Sequence, residues 1–202
     1  MEYKEDIRIQ KTRRDLRNSI IDLLTKKPLE KISVTEICDN ALINRITFYK
    51  YYEDKYTLLD DSLHEIKDDI LRQLPNKKNI TSIEEASQYL ADMINVVINF
   101  IENNTLLITS LYKNGNNKLF NIITNICEGA INDLLYEINK IKPIKYNIPS
   151  LSSFIHGGFM STIYYWLGHP DSIKKDAVLE LITDLRNNLI NFDFVFKKEN
   201  NP

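Results

Sequence analysis

The sequence predicts an all-α protein, and three observations support this prediction. Apolar residues recur at helical spacing along nearly all of the 202 residues. Typical helix starts, in which Ser, Asn or Asp precedes the first turn, occur repeatedly. No stretch alternates apolar and polar residues over the length of a strand. About nine helices are therefore expected, separated by short polar or proline-containing connections.

The first predicted helix combines a basic start with an apolar stripe. Residues 8 to 17 contain a single acidic residue, Asp15, and five basic residues, namely Arg8, Lys11, Arg13, Arg14 and Arg17. The net charge of the whole chain is -2, so this local excess favours a polyanion near the start of the helix. A solvated run of charges is the alternative. The apolar stripe that follows favours a position beside the next structural unit.

Three helix starts follow one another between residues 33 and 59. Ser33-Val-Thr-Glu36 is a capping box, in which each side chain bonds the backbone N–H of the other residue. Asn44 is a good N-cap for the second helix, and Asp54 precedes the third. Only Leu42 and Ile43 separate the first two helices, which is about the turn length of a helix-turn-helix motif.

Helical spacing predicts which side chains of the middle helix point outward. Ile43, Phe48 and Tyr52 form the predicted inward set. The outward set comprises Asn44, Arg45, Ile46, Thr47, Tyr49, Lys50 and Tyr51. Arg45 can bond two acceptors of a guanine, and Thr47 can contact a thymine methyl group. Tyr49, Lys50 and Tyr51 can donate to phosphates. The alternative is an exposed polar helix, but the caps, the turn length and the donors together favour DNA binding.

The segment Ile43-Asn-Arg-Ile-Thr-Phe-Tyr-Lys-Tyr-Tyr-Glu-Asp-Lys55, followed by Leu58-Leu59, resembles the signature of the TetR/AcrR family of bacterial repressors. The resemblance covers about residues 10 to 60. It implies that Tyr49 and Lys55 clamp phosphates, that Thr35 lies where the DNA backbone is touched, and that Arg45, Ile46 and Thr47 meet bases.

Two residues depart from the family pattern. Many members have Gly where this chain has Leu42, and often Gly or Ser where it has Ile46. Leu42 therefore predicts either a right-handed turn or a strain of roughly 1 kcal/mol. Ile46 brings a branched apolar group to the groove, which leaves the operator bases undetermined.

Beyond Asp54 nearly every segment is predicted to be helical. A helix over 55–74 links a DNA-binding domain, residues 1–54, to a regulatory and dimerisation domain, residues 55–202. Ser82-Ile-Glu-Glu85 is a second capping box and opens the fifth helix. The remaining predicted helices cover residues 105–112, 116–141, 149–167 and 172 to about 192.

The last two helices predict the assembly state. The eighth mixes small and bulky residues, and Gly157-Gly158 costs helix stability unless close packing requires it. The resemblance implies that both helices of two chains form a four-helix dimer interface, with packing inside one chain as the alternative. The predicted interface residues are Phe154, Gly158, Ser161, Thr162, Tyr165, Trp166, Val178, Leu181, Ile182, Leu185 and Leu189.

The fifth, seventh and eighth helices carry aromatic, soft and polar side chains of the kind that line small-molecule sites. The candidates are Tyr89, Met93, Phe100, Phe120, Cys127, His156, Met160 and Tyr164. Core packing is the favoured interpretation of each residue taken singly, and for His156 this means a structural role with satisfied hydrogen bonds. The resemblance implies an unknown small-molecule effector that favours a form with wrongly spaced recognition helices.

Other classes of protein are disfavoured by the sequence. The three histidines lack catalytic or metal-ligand spacing, and there is no Gly-rich phosphate loop, so no enzyme, metal or cofactor is expected. Cys38 and Cys127 fit no CxxC motif, which predicts that both are reduced core residues of a cytoplasmic protein. Neither a signal peptide nor a membrane span is expected.

These patterns together predict a transcriptional regulator. It is expected to be a repressor that binds double-stranded DNA at a palindromic operator as a homodimer. A helical adaptor that binds only protein is one alternative, and an activator without a small-molecule inducer is another.

Overall fold

A computed structural model describes residues 7–75, 80–169, 172–174, 176–178, 180–182, 184 and 195. The all-α prediction is confirmed, since these residues form helices and no strand. The helices are α1 (Ile7–Leu24), α2 (Val34–Ala41), α3 (Arg45–Tyr51), α4 (Lys55–Gln73), α5 (Ile83–Asn103), α6 (Thr105–Lys113), α7 (Lys118–Ile141) and α8 (Ile148–Gly168), with a 3-10 turn at Leu29–Lys31. Residues 176–178, 180–182 and 184 are also helical, within the predicted last helix.

The chain divides into two compact units. The first comprises Met1–Asp69 with Asn104–Leu119, and the second comprises Ile70–Asn103 with Phe120–Pro202. The sequence placed a boundary after residue 54, whereas most of α4 and all of α6 belong to the first unit. Tertiary contacts explain the difference, because the Ser110 hydroxyl of α6 donates to the Leu24 carbonyl of α1 at 2.5 Å.

Large apolar side chains fill the core of the first unit. Leu16, Ile37, Phe48 and Leu58, one from each of its first four helices, are fully buried. Removing such side chains from water supplies most of the free energy that holds a small helical unit together. The Ser19 hydroxyl also donates to the Ile37 carbonyl at 2.8 Å and ties α1 to α2.

The predicted helix starts are confirmed by their hydrogen bonds. Ser33 and Glu36 form the reciprocal capping box before α2. The Asn44 side chain accepts the Ile46 N–H at 2.8 Å, and the Asp54 carboxylate accepts the Thr57 N–H at 2.7 Å. Each bond satisfies a backbone donor that the first turn of a helix leaves unpaired.

The turn between α2 and α3 contains the one left-handed residue other than glycine in the described chain. Leu42 has φ 55° and ψ 38°. Its side chain is 94% exposed, so no packing offsets the clash between its Cβ and the backbone. Of the two outcomes that the sequence allowed, the structure has the strained one, at a cost of about 1 kcal/mol.

The second unit has its apolar core among α5, α7 and α8. Met93, Ile123, Leu134 and Leu167 are among its most buried side chains. Of the two free cysteines, Cys127 lies in this core and Cys38 in the core of the first unit. Burial raises the pKa of both thiols, that of Cys127 to about 12. Among the described helices, none is long and apolar enough to cross a membrane.

Candidate nucleic-acid interface and effector cavity

Helix α3 presents one face to the core and the opposite face to solvent. Phe48 and Tyr52 are buried and Ile43 is half-buried, which matches the predicted inward set. On the other side Arg45 and Lys50 are exposed, Ile46 is 72% exposed and Tyr49 is 52% exposed. Thr47 and Tyr51 are half-buried, while Asn44 and, on α2, Thr35 are exposed. The outward residues thus form a continuous surface of donors around one apolar side chain.

A hydrogen-bond and ion-pair network fixes the C-terminal end of α3. The Tyr52 hydroxyl donates to the Asp61 carboxylate of α4 at 2.5 Å. The guanidinium groups of Arg13 and Arg17 on α1 reach the same carboxylate, each at 3.2 Å. Burial alone raises the pKa of Asp61, but the Tyr52 hydroxyl and the two arginines outweigh it and lower this pKa overall. One carboxylate therefore joins the end of α3 to both α1 and α4.

The cations at the start of α1 are only partly available to a polyanion. Arg13 and Arg17 pair with Asp61, and Arg17 also contacts Glu65 at 3.3 Å. Together with Lys11 and Arg14 they line an open charged groove of about 640 Å³. Lys11 and Arg14 are exposed. The basic segment is thus divided between structural ion pairs and a solvent-facing part.

Lys55 lies in an arrangement that the sequence did not predict. Its ammonium group donates to the carbonyls of Leu29 at 2.7 Å, Glu30 at 3.2 Å and Ile32 at 2.8 Å. An ammonium group has three N–H donors, so these bonds can occupy all of them. In this structure Lys55 anchors the 3-10 turn to the start of α4, and its predicted phosphate contact stays a prediction.

The second unit contains a small apolar cavity of about 30 Å³. Four of the predicted ligand residues line it, namely Met93, Cys127, His156 and Met160. The other four, Tyr89, Phe100, Phe120 and Tyr164, do not. Phe120 and Tyr164 instead pack edge to face, with ring centroids 4.8 Å apart. The sequence missed the lining residues Ile98, Phe159 and Ile163 because nothing distinguishes them from ordinary core residues.

One side of α8 is exposed and apolar. Phe154 is 78% exposed and Tyr165 is 57% exposed, and Gly158 and Ser161 lie between them on the exposed side. Thr162 is half-buried, and its hydroxyl donates to the Gly158 carbonyl at 2.9 Å. A Cβ added to Gly157 or Gly158 would meet no atom within 4 Å. The close neighbour that the two glycines predict is therefore absent from the described part of this chain.

Three predicted interface residues belong to the core of the same chain. Trp166, Val178 and Ile182 are 7%, 5% and 2% exposed. They pack together against α5 around a second small cavity, which explains why they are closed to a partner. Leu181 is 46% exposed and can still contact a partner chain. Leu185 and Leu189 lie outside the described residues.

The chain was compared with family models and with curated proteins. No family model matches the chain. The uncharacterized HTH-type transcriptional regulator YxbF of Bacillus subtilis (strain 168) is 18% identical over 175 residues, which cover 84% of this chain and 43% of that protein. The chain therefore spans less than half the length of this curated relative.

Solved structures resemble the chain over most of its length. A TetR-family transcriptional regulator from Haemophilus influenzae RD superposes with a TM-score of 0.65 at 16% identity, covering 90% of this chain and 97% of that chain. The dihydroxyacetone kinase operon activator DhaS superposes with a TM-score of 0.60 at 17% identity, covering 93% and 98%. These similar proteins are named as regulators of transcription and not as enzymes. The chain has the fold of the TetR family of transcriptional regulators.

Proposed function

We propose that the chain is a DNA-binding transcriptional regulator and that α3 is its recognition helix. The observation that carries this proposal is the two-sided character of α3. Phe48 and Tyr52 fix the helix to its unit, while Arg45 and Lys50 remain exposed on the opposite side. A short helix presented in this way, after a tight turn, suits the major groove of B-DNA.

The outward side chains have distinct proposed roles. Arg45 bonds the two major-groove acceptors of a guanine, and Ile46 contacts a thymine methyl group. Thr47, the next residue, contacts a base edge, and Asn44 at the helix start approaches the same bases. Tyr49, Lys50, Tyr51 and Thr35 donate to phosphates and set the register. Lys55 holds the 3-10 turn to the start of α4 through its three carbonyl bonds.

The exposed face of α8 supports the further proposal of a homodimer. A monomer rarely leaves a stripe that includes Phe154 and Tyr165 in water, and the open space beside Gly158 accommodates a close helix. Two-fold pairing presents two recognition helices to a roughly palindromic operator. Phe154→Glu should shift the protein to monomer in analytical ultracentrifugation, whereas Tyr136→Glu, an exposed aromatic on α7, should not.

Repression is the direct effect of such a dimer, because occupancy of the operator blocks polymerase. DhaS, which shares this fold, is named an operon activator, so activation is the second candidate. In either case an effector acts by binding one conformation of the protein more tightly than the other. A response of 10- to 100-fold requires a coupling of about 1.4 to 2.7 kcal/mol.

The test is fluorescence anisotropy with a duplex from the region upstream of the coding sequence. The parent should bind it selectively, and affinity should fall steeply as salt rises. Arg45→Ala should lose about 5- to 150-fold in selectivity, the equivalent of one bidentate base contact. Lys67→Ala, an exposed lysine on α4, serves as the charge-matched control and should bind like the parent. Failure to bind any duplex at low salt would favour the protein-binding adaptor.

A further inference from the structure

Two backbone hydrogen bonds hold Leu42 in the left-handed region at the end of α2. The Leu42 N–H donates to the Asp39 carbonyl at 3.2 Å, and the Ile43 N–H donates to the Cys38 carbonyl at 2.9 Å. These are the two bonds of a Schellman motif, which needs a left-handed residue just past the helix end and usually has glycine there. The turn therefore requires the backbone conformation of Leu42, whereas nothing in it requires a leucine side chain.

The same unit builds the same turn with glycine at the end of α6. There the Gly115 N–H donates to the Tyr112 carbonyl at 3.0 Å, and the Asn116 N–H donates to the Leu111 carbonyl at 2.9 Å. Gly115 has φ 71°, and a Cβ added to it would meet no atom within 4 Å. Glycine is thus present for its backbone freedom and not for lack of space. Leucine is the less stable choice for this turn.

The side chain of Leu42 has two unfavourable features that the described chain does not offset. Its Cβ clashes with the backbone at φ 55°, and its isobutyl group is 94% exposed to water. A strained residue of this kind persists when something depends on it, and such residues concentrate at binding sites. Because the turn itself does not depend on the side chain, a contact with a partner is the remaining use for it.

Leu42 lies next to the outward side chains of α3. It precedes Arg45 by three residues, and three residues span at most about 11 Å. Base pairs stack about 3.4 Å apart along duplex DNA. A residue this near to Arg45 is therefore within about three base pairs of the guanine that Arg45 is proposed to bond.

The chemistry of Leu42 selects one group of the DNA. Its side chain has no donor or acceptor, so it cannot bond a phosphate or a polar base edge. In the major groove the apolar group on a base edge is the methyl group of thymine. A protein partner fits less well, because Arg45 and Lys50 are exposed nearby and charged residues are depleted at the cores of protein interfaces.

We propose that Leu42 determines operator specificity by contacting the methyl group of a thymine within about three base pairs of the guanine bonded by Arg45. This role rests on the proposed function and adds a reading residue from outside α3. It also places stability and selectivity in conflict at one position, since glycine would favour the turn and lose the contact.

The experiment removes single methyl groups from the DNA. In the duplex that the parent binds selectively, each thymine is replaced in turn by deoxyuridine, which lacks the methyl group and keeps the base pair. Fluorescence anisotropy should show about a 4-fold loss of affinity for each contacted methyl group. One sensitive position should become insensitive in Leu42→Gly and in Leu42→Ala, and it should differ from the position that becomes insensitive in Ile46→Ala.

The two variants of Leu42 separate the contact from the backbone. Both lack the isobutyl group, but alanine keeps the strain at φ 55° that glycine relieves. They should therefore lose the same methyl sensitivity while differing in stability. Leu106→Ala, at a 75% exposed leucine of α6, is the control and should keep every sensitivity of the parent.

The other outcomes each overturn the role of Leu42. If both variants keep every methyl sensitivity, Leu42 reads no thymine. If both weaken all duplexes alike, the side chain contacts the sugar-phosphate backbone, and a smaller assembly in ultracentrifugation would make it a contact between copies of the chain. Fewer than two sensitive positions in each half-site of the parent would contradict the role even if neither variant folds. A parent that binds no duplex would overturn the proposed function as well, whereas selective binding with any of the other results leaves that function intact.

Discussion

Replacement of Lys55 should destabilise the first unit without changing the charge contacts to DNA. The family resemblance assigns this lysine to a phosphate, but in the structure its ammonium group donates to three backbone carbonyls between residues 29 and 32. Lys55→Met keeps most of the aliphatic stem and removes these three bonds. The carbonyls of the 3-10 turn then lose the group that anchors them to α4.

The size of the effect follows from the geometry. A hydrogen bond to a charged group contributes about 1.5 to 3 kcal/mol when it is well formed. Two of the three bonds are part-buried and one is exposed, so the freed carbonyls regain some hydration. The three bonds share one donor group and do not add independently. A total loss of about 2 to 3 kcal/mol is therefore expected.

Urea unfolding at matched protein concentration measures this loss. With a slope of about 2 kcal/mol per molar urea, the midpoint of Lys55→Met should fall by about 1 to 1.5 M. Lys50→Met is the matched control, because Lys50 is exposed on α3. It should unfold like the parent but flatten the salt dependence of DNA binding by about one unit of slope.

The opposite pattern would refute this reasoning. If Lys55→Met unfolds like the parent and flattens the salt dependence, its ammonium group leaves the carbonyls and neutralises a phosphate in the complex. The lysine would then be a DNA contact, and the three bonds would contribute little to stability.

Three further predictions concern the first unit. Leu42→Gly should raise the urea midpoint by the equivalent of about 0.5 to 1 kcal/mol, because glycine adopts φ 55° without strain; an unchanged midpoint would show that the turn is relaxed. The Lys27 ammonium group and then the Ser33 groups lower the pKa of Glu36 from 4.5 to about 2. Its contribution to stability is therefore present above about pH 4.5 and lost as pH falls towards 2, and Glu36→Gln should unfold with less dependence on pH in that range. Tyr52→Phe removes the bond to Asp61 and should cost about 1 kcal/mol in unfolding while weakening all DNA sequences alike; selective weakening of one sequence would contradict this.

The features that the sequence predicts well are local ones. Ser33 and Glu36, or Asn44 and Ile46, lie within one helical turn of each other, so their hydrogen bonds follow from the helix start itself. The inward position of Phe48 likewise follows from the helical period. These residues define α3 and its outward face.

The features that the sequence could not predict depend on distant partners or on faces that periodicity does not separate. Lys55 donates to carbonyls 23 to 26 residues away. Asp61 accepts hydrogen bonds from α1 and from the end of α3. Helix α8 is apolar on most sides, so the pattern cannot distinguish the exposed Tyr165 from the buried Trp166. The hand of the turn at Leu42 was open because either conformation satisfies the spacing.

The chain has one protected thiol in each compact unit, Cys38 in the first and Cys127 in the second. Both are buried, and the raised pKa of each keeps the reactive thiolate scarce at neutral pH. An alkylating reagent therefore reacts at each position mainly when that unit opens. Mass spectrometry of a timed alkylation reaction would consequently report the opening of each unit separately, with no engineered label.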